Sequence, residues 1–121
     1  MKVLVVDDSA LARKTLRNAL KALGIEQIIE AKDGLEALQE ALTNPYDLIL
    51  MDWNMPRMDG IEAVDKIREM KLSVPIIMVT GLGDEYHVRE AIAKGVNNFL
   101  LKPFKMEKAM TEIQDTLGIK V

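Results

Sequence analysis

The sequence predicts a doubly wound α/β fold in which five parallel strands form one sheet between five helices. Three observations support this prediction. Five short apolar runs alternate with amphipathic segments, the apolar runs are continuous, and helix-start and helix-stop residues separate them. A continuous apolar run is typical of a strand buried on both faces, as in a parallel sheet covered by helices. We therefore predict five βα repeats joined by right-handed crossovers.

The predicted strands differ in strength. The second has only two apolar residues, whereas the others have three or four in a row. In chain order the five runs are Val3 to Val6, Ile28-Ile29, Leu48 to Met51, Ile76 to Val79, and Phe99 to Leu101.

Capping residues and glycines predict where the helices begin and end. Asp33 with Glu36, and Asp59 with Glu62, have the spacing of a capping box that opens a helix. A fourth helix is predicted from about residue 84 to 94, and glycines at positions 24, 95 and 118 would end the first, fourth and fifth helices. Helical periodicity predicts buried faces at Ala12, Leu16, Ala19, Leu20 and Leu23, and at Met106, Ala109, Met110, Ile113 and Leu117.

The composition limits the possible functions. With 121 residues, 49% of them hydrophobic and 29% charged, the chain has room for one domain, residues 1–121. There is no cysteine and only one histidine, so a metal would be bound by oxygen. A net charge of −3 provides no basic surface for nucleic acid, so no direct nucleic-acid binding is expected. The start does not resemble a signal peptide, and no apolar run could insert into a membrane, so we expect a cytoplasmic protein.

Polar side chains follow four of the predicted strands. Asp7 and Asp8 follow the first strand, and Asp52, Thr80 and Lys102 follow the third, fourth and fifth. Ligands of doubly wound sheets bind beyond the carboxyl ends of the strands, so these residues form the candidate site. Three carboxylates close together would repel one another and resist ionisation, which predicts a bound cation.

Five segments resemble response regulator receiver domains, and within that family the single-domain chemotaxis proteins. They are Val5-Val6-Asp7-Asp8-Ser9, Met51-Asp52-Trp53-Asn54-Met55-Pro56, Asp59-Gly60, Met78-Val79-Thr80 and Lys102-Pro103-Phe104. The resemblance covers essentially the whole chain. It implies a flavodoxin-like strand order 2-1-3-4-5 and a signalling switch operated by phosphorylation, in a two-component or chemotaxis pathway. Such a protein assists its own phosphotransfer but is not an enzyme that turns over a metabolite.

The resemblance also implies a phosphoacceptor and a metal site. Asp52 would accept a phosphoryl group from a sensor histidine kinase, or from acetyl phosphate. Asp7, Asp8 and Asp52, with the backbone carbonyl of Asn54, would hold Mg²⁺.

Other residues would bind the phosphoryl group and transmit its arrival. The resemblance implies that Thr80, the backbone amide of Gly81 and the Lys102 ammonium contact its oxygens. Thr80 would then move inward and Phe99 would turn, which changes the face formed by the fourth helix, fifth strand and fifth helix. The Lys102-Pro103 peptide bond is expected to be cis.

The lifetime and the output of the switch depend on positions where this chain departs from a well-known chemotaxis relative. Leu82 is apolar where that relative has an acid, so we expect Asn54 and Leu82 to set the rate of dephosphorylation. Glu85 and Glu112 stand where lysines help the relative bind the flagellar motor, and Phe99 lacks a tyrosine hydroxyl. The downstream partner is therefore expected to be a flagellar motor switch protein or another effector. A monomer is expected, with dimerisation on activation left open.

Three other functions are compatible with parts of the sequence. The chain could be a receiver cut from a longer regulator with a DNA-binding or enzymatic output domain, although Gly118-Ile119-Lys120-Val121 resembles a terminus. A flavin- or nucleotide-binding protein of the same topology is disfavoured, because Asp7-Asp8-Ser9 would repel a phosphate. An aspartyl-phosphate phosphatase is also disfavoured. Its nucleophile and helper acid would lie two residues apart on the first strand, whereas Asp7 and Asp8 are adjacent and the candidate nucleophile, Asp52, follows the third strand.

Trp53 and His87 are expected to have no part in the chemistry. Trp53 is not expected to be catalytic, but its position beside Asp52 makes it a fluorescence reporter of binding. His87 is expected to face solvent on the fourth helix, without an acidic partner.

Overall fold

The computed structural model describes residues 1–119 and shows strands and helices in strict alternation. The strands are β1 Lys2–Val6, β2 Gln27–Ala31, β3 Leu48–Met51, β4 Ile76–Thr80 and β5 Asn98–Leu101. The helices are α1 Ala10–Ala22, α2 Gly34–Thr43, α3 Gly60–Glu69, α4 Glu85–Lys94 and α5 Met106–Leu117. All strands pair in parallel in the order β2-β1-β3-β4-β5. The predicted fold class and strand order are confirmed; the domain end at residue 121 and the predicted terminus at Lys120-Val121 lie outside the described residues.

The core consists of two apolar layers, one on each face of the sheet. One layer packs β1, β3 and β4 against α2, α3 and α4, and the other packs the same strands against α1 and α5. Successive residues of a strand point to opposite faces, which explains why the central strands are apolar throughout. These strands are buried along most of their length.

The prediction that all five strands are buried on both faces is wrong for β2 and β5. Ile29 of β2 and Leu101 of β5 are exposed, because these strands form the two edges of the sheet and fewer helices cover them. The predicted burial of Met106 is also wrong. It is the first residue of α5 and lies at the carboxyl edge of the sheet, where its side chain is exposed.

Side-chain caps begin four of the helices. Ser9, Asp33, Asp59 and Asp84 each accept a hydrogen bond from a backbone N–H in the first turn of the following helix. The glycines predicted to end helices have left-handed backbone conformations, with φ of 82° at Gly24 and comparable positive values at positions 95 and 118. Across residues 1–119, none of the helices has both the length and the apolar character that crossing a bilayer requires.

Candidate functional site

The sheet ladder brings the polar strand ends together at one edge. Asp52 N–H donates to the carbonyl of Val6 at 2.9 Å, which continues the pairing of β1 and β3 by one residue past the end of β3. Lys102 N–H donates to the carbonyl of Thr80, also at 2.9 Å, and so aligns the ends of β4 and β5. The residues predicted to form a site from their positions in the sequence therefore lie at the same edge.

Three carboxylates form the centre of this site. Asp7, Asp8 and Asp52 can each direct an oxygen so that all three oxygens lie within 4.8 Å of one another. Asp7 and Asp52 are buried and Asp8 is exposed, so the cluster opens to solvent on one side. Lys102 Nζ lies 2.8 Å from Asp7 Oδ2 and 3.4 Å from Asp52 Oδ1. The ammonium group is therefore the cation that balances the cluster in this structure.

Burial and charge shift the pKa values of two groups in the cluster. Burial, followed by repulsion from Asp7, raises the pKa of Asp52; the Lys102 charge and a hydrogen bond from Trp53 N–H only partly offset this. Burial by itself would lower the pKa of Lys102, but its bond to Asp7 and the charges of Asp52 and Asp7 outweigh burial and raise it. Asp52 is thus a carboxylate that the fold holds at an energetic cost, whereas Lys102 stays firmly protonated.

Gly60 fixes the position of the Asp52 backbone. A Cβ atom at Gly60 would lie 1.9 Å from the carbonyl oxygen of Asp52, which no side chain could tolerate without movement of the backbone. Gly60 N–H also donates to the carbonyl of Trp53 at 2.7 Å. The sequence assigned Gly60 only to a helix start. Its position directly after the capping Asp59 was the available signal, but the close contact with Asp52 could not be seen in the sequence.

The loop between β3 and α3 is also tied to the start of α2. Arg57 has a left-handed backbone with φ of 65°, and its Nε donates to Asp33 Oδ2 at 2.9 Å. Gly34 N–H donates to the carbonyl of Met58 at 2.9 Å. Burial acts to raise the pKa of Asp33, but hydrogen bonds from the Glu36 N–H and Arg57, and the Arg57 charge, leave it lowered. Asp33 caps α2, as the sequence predicts. It also anchors the loop through Arg57, a role that the sequence did not predict.

The end of β4 places a buried hydroxyl at the same edge. Thr80 is 2% exposed, and its Oγ1 accepts a hydrogen bond from Leu82 N–H at 3.1 Å. Gly81 is exposed, with its amide in the turn that follows, and Leu82 is half-buried. The Lys102-Pro103 peptide bond is cis. The proposed roles of these residues toward a phosphoryl group remain predictions.

Asn54 and Phe99 occupy different settings. Asn54 is exposed in the loop that follows Asp52. Phe99 lies opposite Met78 in the β4–β5 pairing and is half-buried against the layer that contains α2, α3 and α4. The position of Phe99 at the edge of the core is compatible with a ring that can turn, and its switch role stays a prediction.

The expected setting of His87 was wrong. Its Nδ1 lies 2.5 Å from Asp84 Oδ1, so it has an acidic partner, and its side chain is only 30% exposed. The ring packs edge to face against Trp53, with ring centroids 5.0 Å apart. The sequence does not reveal this setting, because Asp84 both caps α4 and contacts the His87 ring, and because the Trp53 contact joins residues far apart in the chain.

Comparison with known proteins identifies the family. Residues 3–114 match the family model described as the response regulator receiver domain. The chain belongs to this family. Receiver domains are phosphorylation-regulated signalling modules, so this receiver is a signalling protein. The assignment favours the receiver hypothesis over flavin-binding or phosphatase functions.

Several relatives of this receiver have chemotaxis names. It is 43% identical over 122 residues to a chemotaxis protein CheY homolog of Campylobacter jejuni, an alignment that covers 98% of this chain and 93% of the relative. It is 40% identical over 121 residues to chemotaxis protein CheY1 of Helicobacter pylori, with 98% of each chain covered.

Solved structures agree with the receiver fold. The Francisella response regulator 1452 receiver domain superposes with a TM-score of 0.89 at 31% identity, covering 97% of this chain and 96% of that one. Vibrio cholerae chemotaxis protein CheY4 gives a TM-score of 0.86 at 36% identity, covering 95% and 97%.

Proposed function

We propose that this receiver is switched by phosphorylation of Asp52, with Mg²⁺ as its cofactor. The observation that carries the proposal is the convergence of three carboxylates and one lysine, with the carboxylate oxygens within 4.8 Å of one another. A receiver needs only a small, open site that a phosphodonor can approach.

The donor atoms suit magnesium. Asp7, Asp8 and Asp52 offer oxygen only, and the exposed side of the cluster leaves room for the waters that Mg²⁺ retains. The backbone carbonyl of Asn54 would complete the protein ligands. When bound, Mg²⁺ neutralises oxygens of the transferring phosphoryl group.

In the phosphotransfer, Asp52 acts as the nucleophile and three other residues bind the phosphoryl oxygens. An oxygen of Asp52 attacks the phosphorus, the bond between phosphorus and the donor oxygen or nitrogen breaks, and the donor leaves with that electron pair. The product is an acyl phosphate on Asp52. Lys102 balances negative charge on the phosphoryl oxygens, while the Thr80 hydroxyl and the Gly81 amide donate hydrogen bonds to them.

The output follows from a shift between two states of the domain. The new group adds roughly 1.5 to 2 negative charges, which favours a state in which Thr80 donates to it. Movement of Thr80 and Phe99 would alter the face formed by α4, β5 and α5. The chemotaxis names of the relatives support a sensor histidine kinase as the donor and a flagellar motor switch protein as the partner of this single domain.

The proposal is tested by incubating the protein with acetyl phosphate, with and without Mg²⁺. We expect intact-mass measurement to show one added phosphoryl group only when Mg²⁺ is present, and Trp53 fluorescence to change with it. Peptide mapping after borohydride reduction should place the group on Asp52. Modification at another residue, or equal modification without Mg²⁺, contradicts the proposal.

Replacing Lys102 by methionine should separate metal binding from phosphotransfer. The variant removes the ammonium that lies against Asp7 and Asp52, so Mg²⁺ no longer competes with it. We expect Mg²⁺ to bind roughly threefold or more tightly in a Trp53 fluorescence titration. The rate of phosphorylation should fall by about a hundredfold, as when one oxyanion donor is lost. Weaker Mg²⁺ binding in Lys102→Met would show that the lysine does not compete with the metal.

Replacing Leu82 by glutamate should change the lifetime of the phosphorylated form. Leu82 is half-buried next to Thr80, where its apolar side chain cannot orient an attacking water. A carboxylate there can orient or activate water, so we expect the decay rate of the phosphorylated form to rise by about tenfold. The measurement is loss of the phosphoryl group after the donor is removed, with Leu82→Gln as the uncharged control. A decay rate equal to that of the wild type would exclude a role for position 82.

A further inference from the structure

Helix α4 is weakly anchored to the rest of the domain. Within Glu85–Lys94, all of which the structure describes, Ala91 is the one buried residue, whereas α1, α2 and α3 each bury three or four. Helices with few buried contacts open locally at low free energy. The position of the first turn of α4 therefore depends strongly on whatever contacts it makes there.

His87 supplies a contact in that first turn. Its imidazole packs edge to face on the Trp53 indole, with centroids 5.0 Å apart and an interplanar angle of 81°. Asp84, which caps α4, holds the ring through its carboxylate at 2.5 Å. The bond to His87 is the largest cause of a lowered pKa of Asp84. A second ring, Tyr86, lies 5.3 Å from His87 but is itself 69% exposed, so it adds less.

Trp53 connects this contact to the phosphoacceptor. Its side chain is 95% buried, and its backbone N–H donates to Asp52 Oδ1 at 2.9 Å. This bond is charge-assisted while Asp52 is a carboxylate, and such bonds are roughly twice as strong as neutral ones. When one Asp52 oxygen becomes the bridging oxygen of the acyl phosphate, the carboxyl group no longer carries the charge, and the hydrogen bond from Trp53 N–H weakens.

We propose that the Asp84–His87 pair is a positioning element that couples the state of Asp52 to α4 through Trp53. The proposal rests on the function proposed above and adds a route that starts directly after β3, at Asp52 and Trp53, separately from the movement of Thr80 and Phe99. In the resting protein the pair holds the first turn of α4 against the indole. Phosphorylation weakens the hydrogen bond from Trp53 N–H to Asp52, and the packing of the first turn of α4 on the indole weakens with it.

The test is amide hydrogen exchange of α4 in the whole chain, with and without Mg²⁺ and beryllium fluoride as a phosphoryl mimic. In wild type, we expect exchange of residues 85–91 to rise when the mimic is added, because the first turn of α4 is then held less tightly. In His87→Ala, resting exchange there should rise by about three- to tenfold, the size expected for the loss of one aromatic pair. The change caused by the mimic should shrink by a similar factor, and Trp53 emission should shift to the red.

Three further variants separate the parts of the contact. His87→Phe keeps a ring against Trp53 and should restore most of the resting protection, whereas His87→Gln keeps only a partner for Asp84 and should not. Asp84→Asn keeps the cap but not the charge, and should give an intermediate effect. The matched control is Arg89→Ala, which removes an exposed ion pair with Glu85 on the same helix and should leave both readouts unchanged.

The outcomes distinguish this proposal from the function on which it rests. If wild type shows no Mg²⁺-dependent response to beryllium fluoride or acetyl phosphate, the proposed function fails. If wild type responds and His87→Ala responds to the same extent, with unchanged Trp53 emission, the coupling proposal alone is overturned. Loss of the response in Arg89→Ala as well would show a general weakening of α4 and would also overturn it.

Discussion

The Asp52→Asn variant of this receiver will not be phosphorylated, yet at pH 7 it will unfold at a higher temperature than the wild type. The amide cannot act as the nucleophile, so acetyl phosphate labelling should fall by about a hundredfold or more. The gain in stability follows from the raised pKa of Asp52, since burial and the neighbouring Asp7 disfavour its charged form in the folded state. An uncharged side chain of the same shape removes that cost.

The pH dependence has a definite sign. A carboxylate whose pKa is raised on folding binds its proton more tightly in the folded state, so stability falls as pH rises. The loss begins near the ordinary value of 3.8 and is complete above the raised value. We therefore expect the difference in melting temperature between Asp52→Asn and wild type to vanish at low pH and to grow toward pH 7.

Thermal unfolding followed by circular dichroism, at several pH values, measures this difference. Mg²⁺ provides an internal check, because a ligand that binds only the folded state stabilises it. It should raise the melting temperature of the wild type more than that of Asp52→Asn, which has lost one ligand oxygen charge. A variant that is less stable than wild type at pH 7 would show that Lys102 more than compensates the buried charge of Asp52.

The Gly60→Ala variant will be strongly destabilised although it adds a single methyl group. Its Cβ would lie 1.9 Å from Asp52 O and 2.9 Å from the carbonyl carbon, so the backbone of the site or the start of α3 must move. Overpacking of this kind typically costs up to about 3 kcal/mol, and contact with backbone places Gly60 at the upper end. We expect a melting temperature lower by about 10 °C and weaker Mg²⁺ binding in the Trp53 titration.

Gly81→Ala is the matched control for this substitution. A Cβ at Gly81 would have no heavy atom within 4 Å, apart from its chain neighbours, so the same change should alter the free energy of unfolding by less than about 0.5 kcal/mol. If Gly60→Ala and Gly81→Ala unfold alike, the close approach of Gly60 to Asp52 does not constrain the fold.

Local patterns predicted most of the scaffold because the chain follows them closely. Continuous apolar runs identified the three central strands, and carboxylates spaced for capping identified the starts of α2 and α3. The patterns failed at the margins of the sheet. Only two apolar residues marked β2 in the sequence, so its length of five residues was underestimated. Met106 fits the helical periodicity of α5, but no other element covers its side chain.

The order of residues along the chain determined the chemistry of the site. Asp7, Asp52 and Lys102 each follow an apolar strand and Thr80 ends one, and a parallel sheet places the carboxyl ends of its strands at one edge. Hydrogen bonds between neighbouring strands repeat with a regular register, so strand positions in the sequence translate directly into positions in space. The sequence therefore determined which groups meet, including the Lys102 ammonium that lies against Asp7 and Asp52.

Only the tertiary structure decided how those groups are held. Arg57 with Asp33, Gly60 with the carbonyl of Asp52, and His87 with Trp53 are contacts between loops and helix ends, where no repeating register relates one residue to another. Their distances depend on how each helix packs on the sheet. For this receiver, strand order set which residues can serve as the proposed acceptor, the proposed metal ligands and the neighbouring lysine, whereas packing set the restraints that surround Asp52.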